Sequence, residues 1–237
     1  MVRWFWQRKT PRRSLVLRSR GDFGDTARVD FAELAPDLNT FLGQAAYLQL
    51  GYFETLTRLI RATPELGEKE ALSRAAGAAL EKHRGIVEVI RSRGDEPTEV
   101  MLPFREELDA FRRKTIGVRP RETLLAVYLT AGMLDDFYLA LASGYGKSGD
   151  RVAEILARDD ARDEIVGIIQ DTITSDEEWR SLLSMWGRRL VGDTLLVART
   201  ALRRPEPGAA DDARVEPVFT ELMGAHARRM DAMGLAS

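Results

Sequence analysis

Apolar residues recur at intervals of three and four along most of the chain, while Val, Ile and Thr do not gather into alternating runs. That pattern predicts an all-α protein. A first helix is expected from about Pro36 to Arg61, with Pro36 in its first turn and Thr63-Pro64 ending it. A second, from about Glu68 to Arg93, stops at Gly94 and aligns Leu72, Ala76, Ala79, Leu80, His83 and Ile86 on one stripe, so His83 is expected to point inward. Residues 95 to 120 carry Pro97, Pro103 and Pro120 around one short amphipathic piece with Phe104, Leu108 and Phe111, which predicts a long crossover. A third helix follows from Pro120 to about Ser143. The fourth covers roughly Asp150 to Ile173, with a break near Asp159-Asp160. The next begins at a capping box, Ser175-x-x-Glu178, and runs to Arg203, where Pro205-Glu-Pro207-Gly208 ends it. The last, near Asp211 to Met233, aligns Phe219, Leu222, Met223, His226, Met230 and Met233 as a docking face.

Two antiparallel pairs joined by a crossover of this length give a ferritin-like four-helix bundle with extra C-terminal helices. The expected organisation is a basic N-terminal arm over residues 1–29, the bundle over 30–204 and a docking helix over 205–237.

The pattern is broken where chemistry would sit. The first helix carries no charge from Ala45 to Phe53 and then meets Glu54. The third is apolar or small from Leu124 to Ala142 except for Thr130, Asp135 and Asp136. Burying an ion costs several kcal/mol unless it is paired or bound to a metal. At least one of the two aspartates must therefore face inward, and Glu54, His83 and that aspartate are expected to converge on a buried ion-pair or metal site. Helical bundles of the diiron type place one Glu on each of two helices and a Glu-x-x-His on each of the other two. Here three residues before His83 stands Leu80, and Asp160-x-x-Asp163 has the second spacing with an aspartate where the imidazole belongs. The candidate ligands are thus Glu54, His83, Asp135, Asp136, Asp160 and Asp163, an incomplete set expected to hold iron weakly or no metal at all. For each, pairing inside the bundle is the competing expectation. In the fifth helix Trp186-Gly187-Arg188-Arg189-Leu190-Val191-Gly192-Asp193 combines small residues with charge, so Arg188, Arg189 and Asp193 are expected as buried polar partners, with Arg189 or Arg188 neutralising the inward acids.

Composition narrows the rest. Hydrophobic residues make up 44% and charged residues 30%, with no cysteine, which removes disulfides, thiolate metal sites and cysteine nucleophiles and fits a cytoplasmic location. The formal charge of −2 hides an asymmetry: residues 1–20 hold seven bases and no acid, and the remaining 28 bases face 37 acids. Arg3, Arg8, Lys9, Arg12 and Arg13, interleaved with Trp4, Phe5 and Trp6, suit either a solvated arm or contact with RNA or anionic membrane. Gly144-x-Gly146-x-x-Gly149 matches a dinucleotide pattern, but it follows a helix instead of a strand, so no nucleotide binding is expected.

The run Ala46-Tyr47-Leu48-Gln49-Leu50-Gly51-Tyr52-Phe53-Glu54, the segment Ala79-Leu80-Glu81-Lys82-His83 and the stretch from Trp186 to Leu196 resemble an actinobacterial group of ferritin-like proteins. That group is similar to the tRNA hydroxylases that oxidise the isopentenyl side chain of a modified adenosine. The resemblance spans about residues 35 to 203 and implies the ferritin-like fold, with iron and a modified-tRNA substrate if the activity is retained. Leu80 and Asp163 depart from the hydroxylase pattern. The expectation is a non-catalytic or regulatory bundle with a degenerate diiron-type site; the alternatives are an iron-dependent tRNA hydroxylase and a helical dimerisation module.

Overall fold

A computed structural model describes residues 35–202 and 209–237, without the side chains of 209–215. The elements are α1 (Leu38–Ala62), α2 (Leu66–Ser92), α3 (Pro97–Met101), α4 (Arg105–Thr115), α5 (Pro120–Ala142), α6 (Gly146–Leu156), α7 (Arg162–Ser175), α8 (Glu177–Ala201) and α9 (Ala209–Ala232), with single 3-10 turns at Leu102–Phe104 and Ser143–Tyr145. Among the described residues there is no strand. The basic arm, with Arg3, Arg8, Lys9, Arg12 and Arg13, lies outside the described residues.

The four-membered ring is α1 against α2, α2 against α6 and α7, those two against α5, and α5 back against α1. Capping chemistry sets the ends. Asp37 accepts from the Thr40 amide at 3.0 Å, so α1 starts after Pro36 rather than on it. At the end of α2, Gly94 takes φ 84° while its amide and that of Asp95 return to the Arg91 and Ile90 carbonyls, a Schellman closure that needs the left-handed conformation. The box expected at Ser175 does not form: Ser175 ends α7, and Asp176 alone caps α8 by accepting from the Glu178 amide at 2.8 Å. Aspartate accepts from that amide as ionised charge, which also suits the positive end of the helix.

The core runs along α5, where Leu125, Leu129, Met133 and Phe137 are fully buried. Each such side chain contributes about 1.5–3 kcal/mol by leaving water. By length and composition this stretch would also cross a membrane, but 78% of its most apolar window is buried inside the bundle. The crossover is held by contact so close that side chains are excluded: a Cβ on Gly43 of α1 would run into the Val100 carbonyl of α3. The glycines of the apparent nucleotide pattern do similar work. Gly146 takes φ 54° between the turn and α6, and a Cβ on Gly149 would meet the Ala142 carbonyl.

Outside the ring, α8 packs along α5 and α4, and α9 packs on α5 and α8. Gly187 makes room for Met230, and Gly132 for Arg229. Leu222, His226, Met230 and Met233 form the buried face of α9, whereas Met223 is 44% exposed and does not belong to it. Beyond α9, Leu235 is buried and the Ala236 amide donates to Ser184 at 3.1 Å, tying the chain end to α8.

Candidate functional site

The fourth helix of the ring is broken where the sequence placed the break. After α6 ends at Leu156 the chain is irregular to Ala161, a non-glycine residue at φ 57° that precedes α7. A non-glycine residue in the left-handed region carries strain of about 1–2 kcal/mol. Here that conformation places Asp160 and Arg162 side by side at mid-bundle, facing Asp135 on α5.

The group that joins them is Lys82 of α2, only 2% exposed. Its ammonium donates to Asp135 Oδ2 and to Asp160 Oδ2, each at 2.9 Å. The Arg162 guanidinium donates to Asp135 Oδ2 at 2.7 Å and also to Asp160. Gln49 of α1 completes the set, donating to Asp135 Oδ1 at 2.7 Å. Two cations face two carboxylates in charge balance, which offsets a desolvation penalty that no isolated ion could bear. Burial pushes the Asp135 carboxyl above the usual carboxylate range, and Lys82 and Arg162 oppose it by favouring the ionised form. For Arg162 burial pulls downward, but Asp135 and Asp160 outweigh it, so the guanidinium stays charged.

Of the six candidate ligands, only Asp135 and Asp160 share partners, Lys82 and Arg162. Lys82 takes the inward position expected of His83, because the buried stripe of α2 steps through Ala75, Ala79, Lys82 and Ile86. His83, one residue and about 100° further round the helix, is half-buried, with Nδ1 2.9 Å from the Ala46 carbonyl of α1. A carbonyl only accepts, so that nitrogen carries the proton. Glu54 is drawn away to an ion pair with Arg112 of α4, which also donates to Asp109 at 2.8 Å. Asp136 faces α9, where Arg229 donates to it at 2.6 Å and to the Gly132 carbonyl at 3.1 Å. Asp163 is exposed on α7.

The partners expected on α8 are not at the site. Arg188 is exposed and donates to the Ala236 carbonyl, Arg189 is exposed and lies over the Trp186 ring, and Asp193 is half-buried on the same helix. The cations that meet the inward acids are Lys82, Arg162 and Arg229. Lys82 carried a signal in the sequence, since it stands three residues after Ala79 and four before Ile86. Its setting in Glu81-Lys82-His83-Arg84 reads as a solvated run and hides that periodicity.

A cavity of about 30 Å³ adjoins this quartet, lined in part by Gln49, Tyr52, Ala75, Ala79, Lys82 and Asp135. A cleft of about 360 Å³ opens from the helix break toward solvent, lined by Asp135, Asp136, Asp159, Asp160 and Asp163 together with Arg158 and Arg162.

A likeness to a known family fits this ring and its crossover. The family described as "Ferritin-like domain, actinomycetes" matches residues 33–204. The chain belongs to this ferritin-like family. No curated protein matches it.

Metal centres in ferritin-like bundles draw on glutamates and Glu-x-x-His pairs, and the residues present in this ferritin-like chain do not fit such a group. Among the described residues no cluster of three or more His, Cys, Asp or Glu side chains can hold a metal ion. The two acids that do meet already share Lys82 and Arg162, and a divalent ion between them would sit against two fixed positive charges.

Proposed function

We propose that this protein is a ferritin-like bundle that acts by binding rather than by oxygen chemistry, with an ammonium group where its relatives' architecture would place a metal. The observation that carries the reading is the Lys82 ammonium, 2.9 Å from both Asp135 and Asp160. An iron-dependent hydroxylase acting on a modified adenosine in tRNA would need Lys82 and Arg162 to leave and two imidazoles to enter. His83 is committed to the Ala46 carbonyl, and His226 lies on α9, outside the ring. The quartet together with Gln49 is best understood as a registry device: the five residues bond α1, α2, α5 and the broken fourth helix to one another at a single depth, so one packing of the bundle satisfies all the charges.

Iron reconstitution of purified protein tests this reading. Metal retention well below one ion per chain after desalting supports it, and stoichiometric iron with turnover on modified tRNA would replace it with the hydroxylase.

A second reading concerns assembly. Met185 and Leu196 are 59% and 61% exposed on α8, and Gly192 between them has open space where a Cβ would stand. That face suits close approach of a second helix, so self-association through α8 accompanies the binding role. Solution mass across a concentration series, compared with Leu196→Glu, is the test.

A further inference from the structure

The last helix, α9, is laid over a domain that is already closed. The ring of four forms without it, and the family match ends at residue 204, before α9 begins at Ala209. Its seat is specific in shape. Arg229 fills the notch left by Gly132 on α5, Met230 fills the notch left by Gly187 on α8, and Val218 and Leu222 are buried alongside. Pro217 lies inside the helix and removes one amide donor from its ladder.

That seat is poor in polar satisfaction. Both ring nitrogens of the buried His226 and Nη1 of Arg229, one turn further along, have no hydrogen-bond partner. Native interfaces seldom leave buried donors unpaired. The charged and titratable groups around the ring come from every element packed on α9. From α5 come Asp136, engaged by Arg229 at 2.6 Å, and the Tyr128 phenol. From α8 come Arg180 and Arg188, bonded to the Gly234 and Ala236 carbonyls, with Asp193 half-buried further along. From α7 comes the uncharged Gln170, bonded to the Ala232 carbonyl. On α9 itself Arg228 pairs with Glu221 at 2.6 Å. Of these, Arg229 alone acts on the imidazole electrostatically, and with burial as the larger cause it lowers the pKa below 6.5. A proton on His226 would thus add a second positive charge to a buried seat whose nearest acid is already taken.

We infer that α9 is an acid-released cover: protonation of His226 lifts it as a unit from α5 and α8, uncovering the strip around Leu129, Gly132 and Gly187 while the ring stays folded. The sign follows from linkage. A lifted α9 exposes a solvated imidazole that titrates near 6.5, whereas the seated one titrates lower, so seating is at full strength above that pH and weakens as pH falls toward the lowered value. This regulation is independent of the charged quartet and of contacts through the outer face of α8.

Amide hydrogen exchange of the full chain from pH 7.5 to 5, corrected for the intrinsic pH dependence of exchange, is the experiment. The opening constant of α9 should rise at least about threefold and by as much as about thirtyfold, the limit for one imidazole that titrates near 6.5 when released. Amides of α1 and α2 in the ring should keep their protection over the same range. His226→Leu, close in size and unable to titrate, should hold the α9 opening constant level with pH. A flat profile for α9 in the native chain, or a parallel loss in α1 and α2, would overturn the cover. A rise in His226→Leu equal to that of the native chain would overturn the role of His226, and if the variant fails to seat α9 the native comparison of α9 with α1 and α2 still decides.

Discussion

Lys82 on α2 and Asp160 in the break of the fourth helix are joined by an ammonium–carboxylate contact of 2.9 Å. The contact spans 78 residues of chain and anchors the irregular segment from 157 to 161, exposed at 157–159, to the bundle interior through Asp160. Removing one partner of such a buried pair leaves an uncompensated charge.

Lys82→Met is accordingly expected to destabilise the bundle by about 3 kcal/mol, the lower end of the range for broken buried pairs, because Arg162 still neutralises part of the remaining charge. Urea unfolding measures it. The double variant Lys82→Met with Asp160→Leu should recover part of the loss, since charge is then removed in pairs.

His226 gives a pH dependence. It is 4% exposed on α9, both of its ring nitrogens lack partners, and burial, aided by Arg229, lowers its pKa below the usual 6.5. The folded state therefore favours neutral imidazole, while the unfolded chain takes up a proton below about pH 6.5. The stability contributed by the neutral ring is fully present above that pH and is lost as pH falls toward the lowered folded value. Stability measured by urea unfolding from pH 7.5 to 5 should decline, and His226→Phe should flatten the decline.

Two glycines of the long helices should respond in opposite directions. Gly77 on α2 is exposed with open space at its Cβ position, so Gly77→Ala is expected to stabilise by about 0.5–1 kcal/mol through backbone entropy. Gly43→Ala would drive a methyl into the Val100 carbonyl, and overpacking of this kind costs about 1–3 kcal/mol. Thermal denaturation of the two variants side by side checks both signs.

The ring of helices, the long crossover and the break in the fourth helix were legible because each has a local cause: period-3.6 apolar stripes, clustered prolines, and Asp159-Asp160 interrupting an apolar face. One inward aspartate was also forced by the charge-poor surroundings of Asp135. The partners were not legible. Glu54 and Asp136 look equivalent to Asp135 by position along their helices, yet the rotation of each helix sends them to Arg112 and Arg229 on elements whose placement no local pattern specifies. Lys82 was missed for a related reason, since a long cation in a charged run usually snorkels to solvent, and here Asp135 on α5 and Asp160 across the break together hold it inside.

Ferrous iron added anaerobically, followed by desalting and metal analysis, tests the central claim that the Lys82 ammonium stands in place of a metal. With Lys82 and Arg162 filling the space between Asp135 and Asp160, the protein should retain well under one iron per chain and show no oxo-bridge absorption on exposure to air. Retention of two irons per chain with that absorption would contradict it.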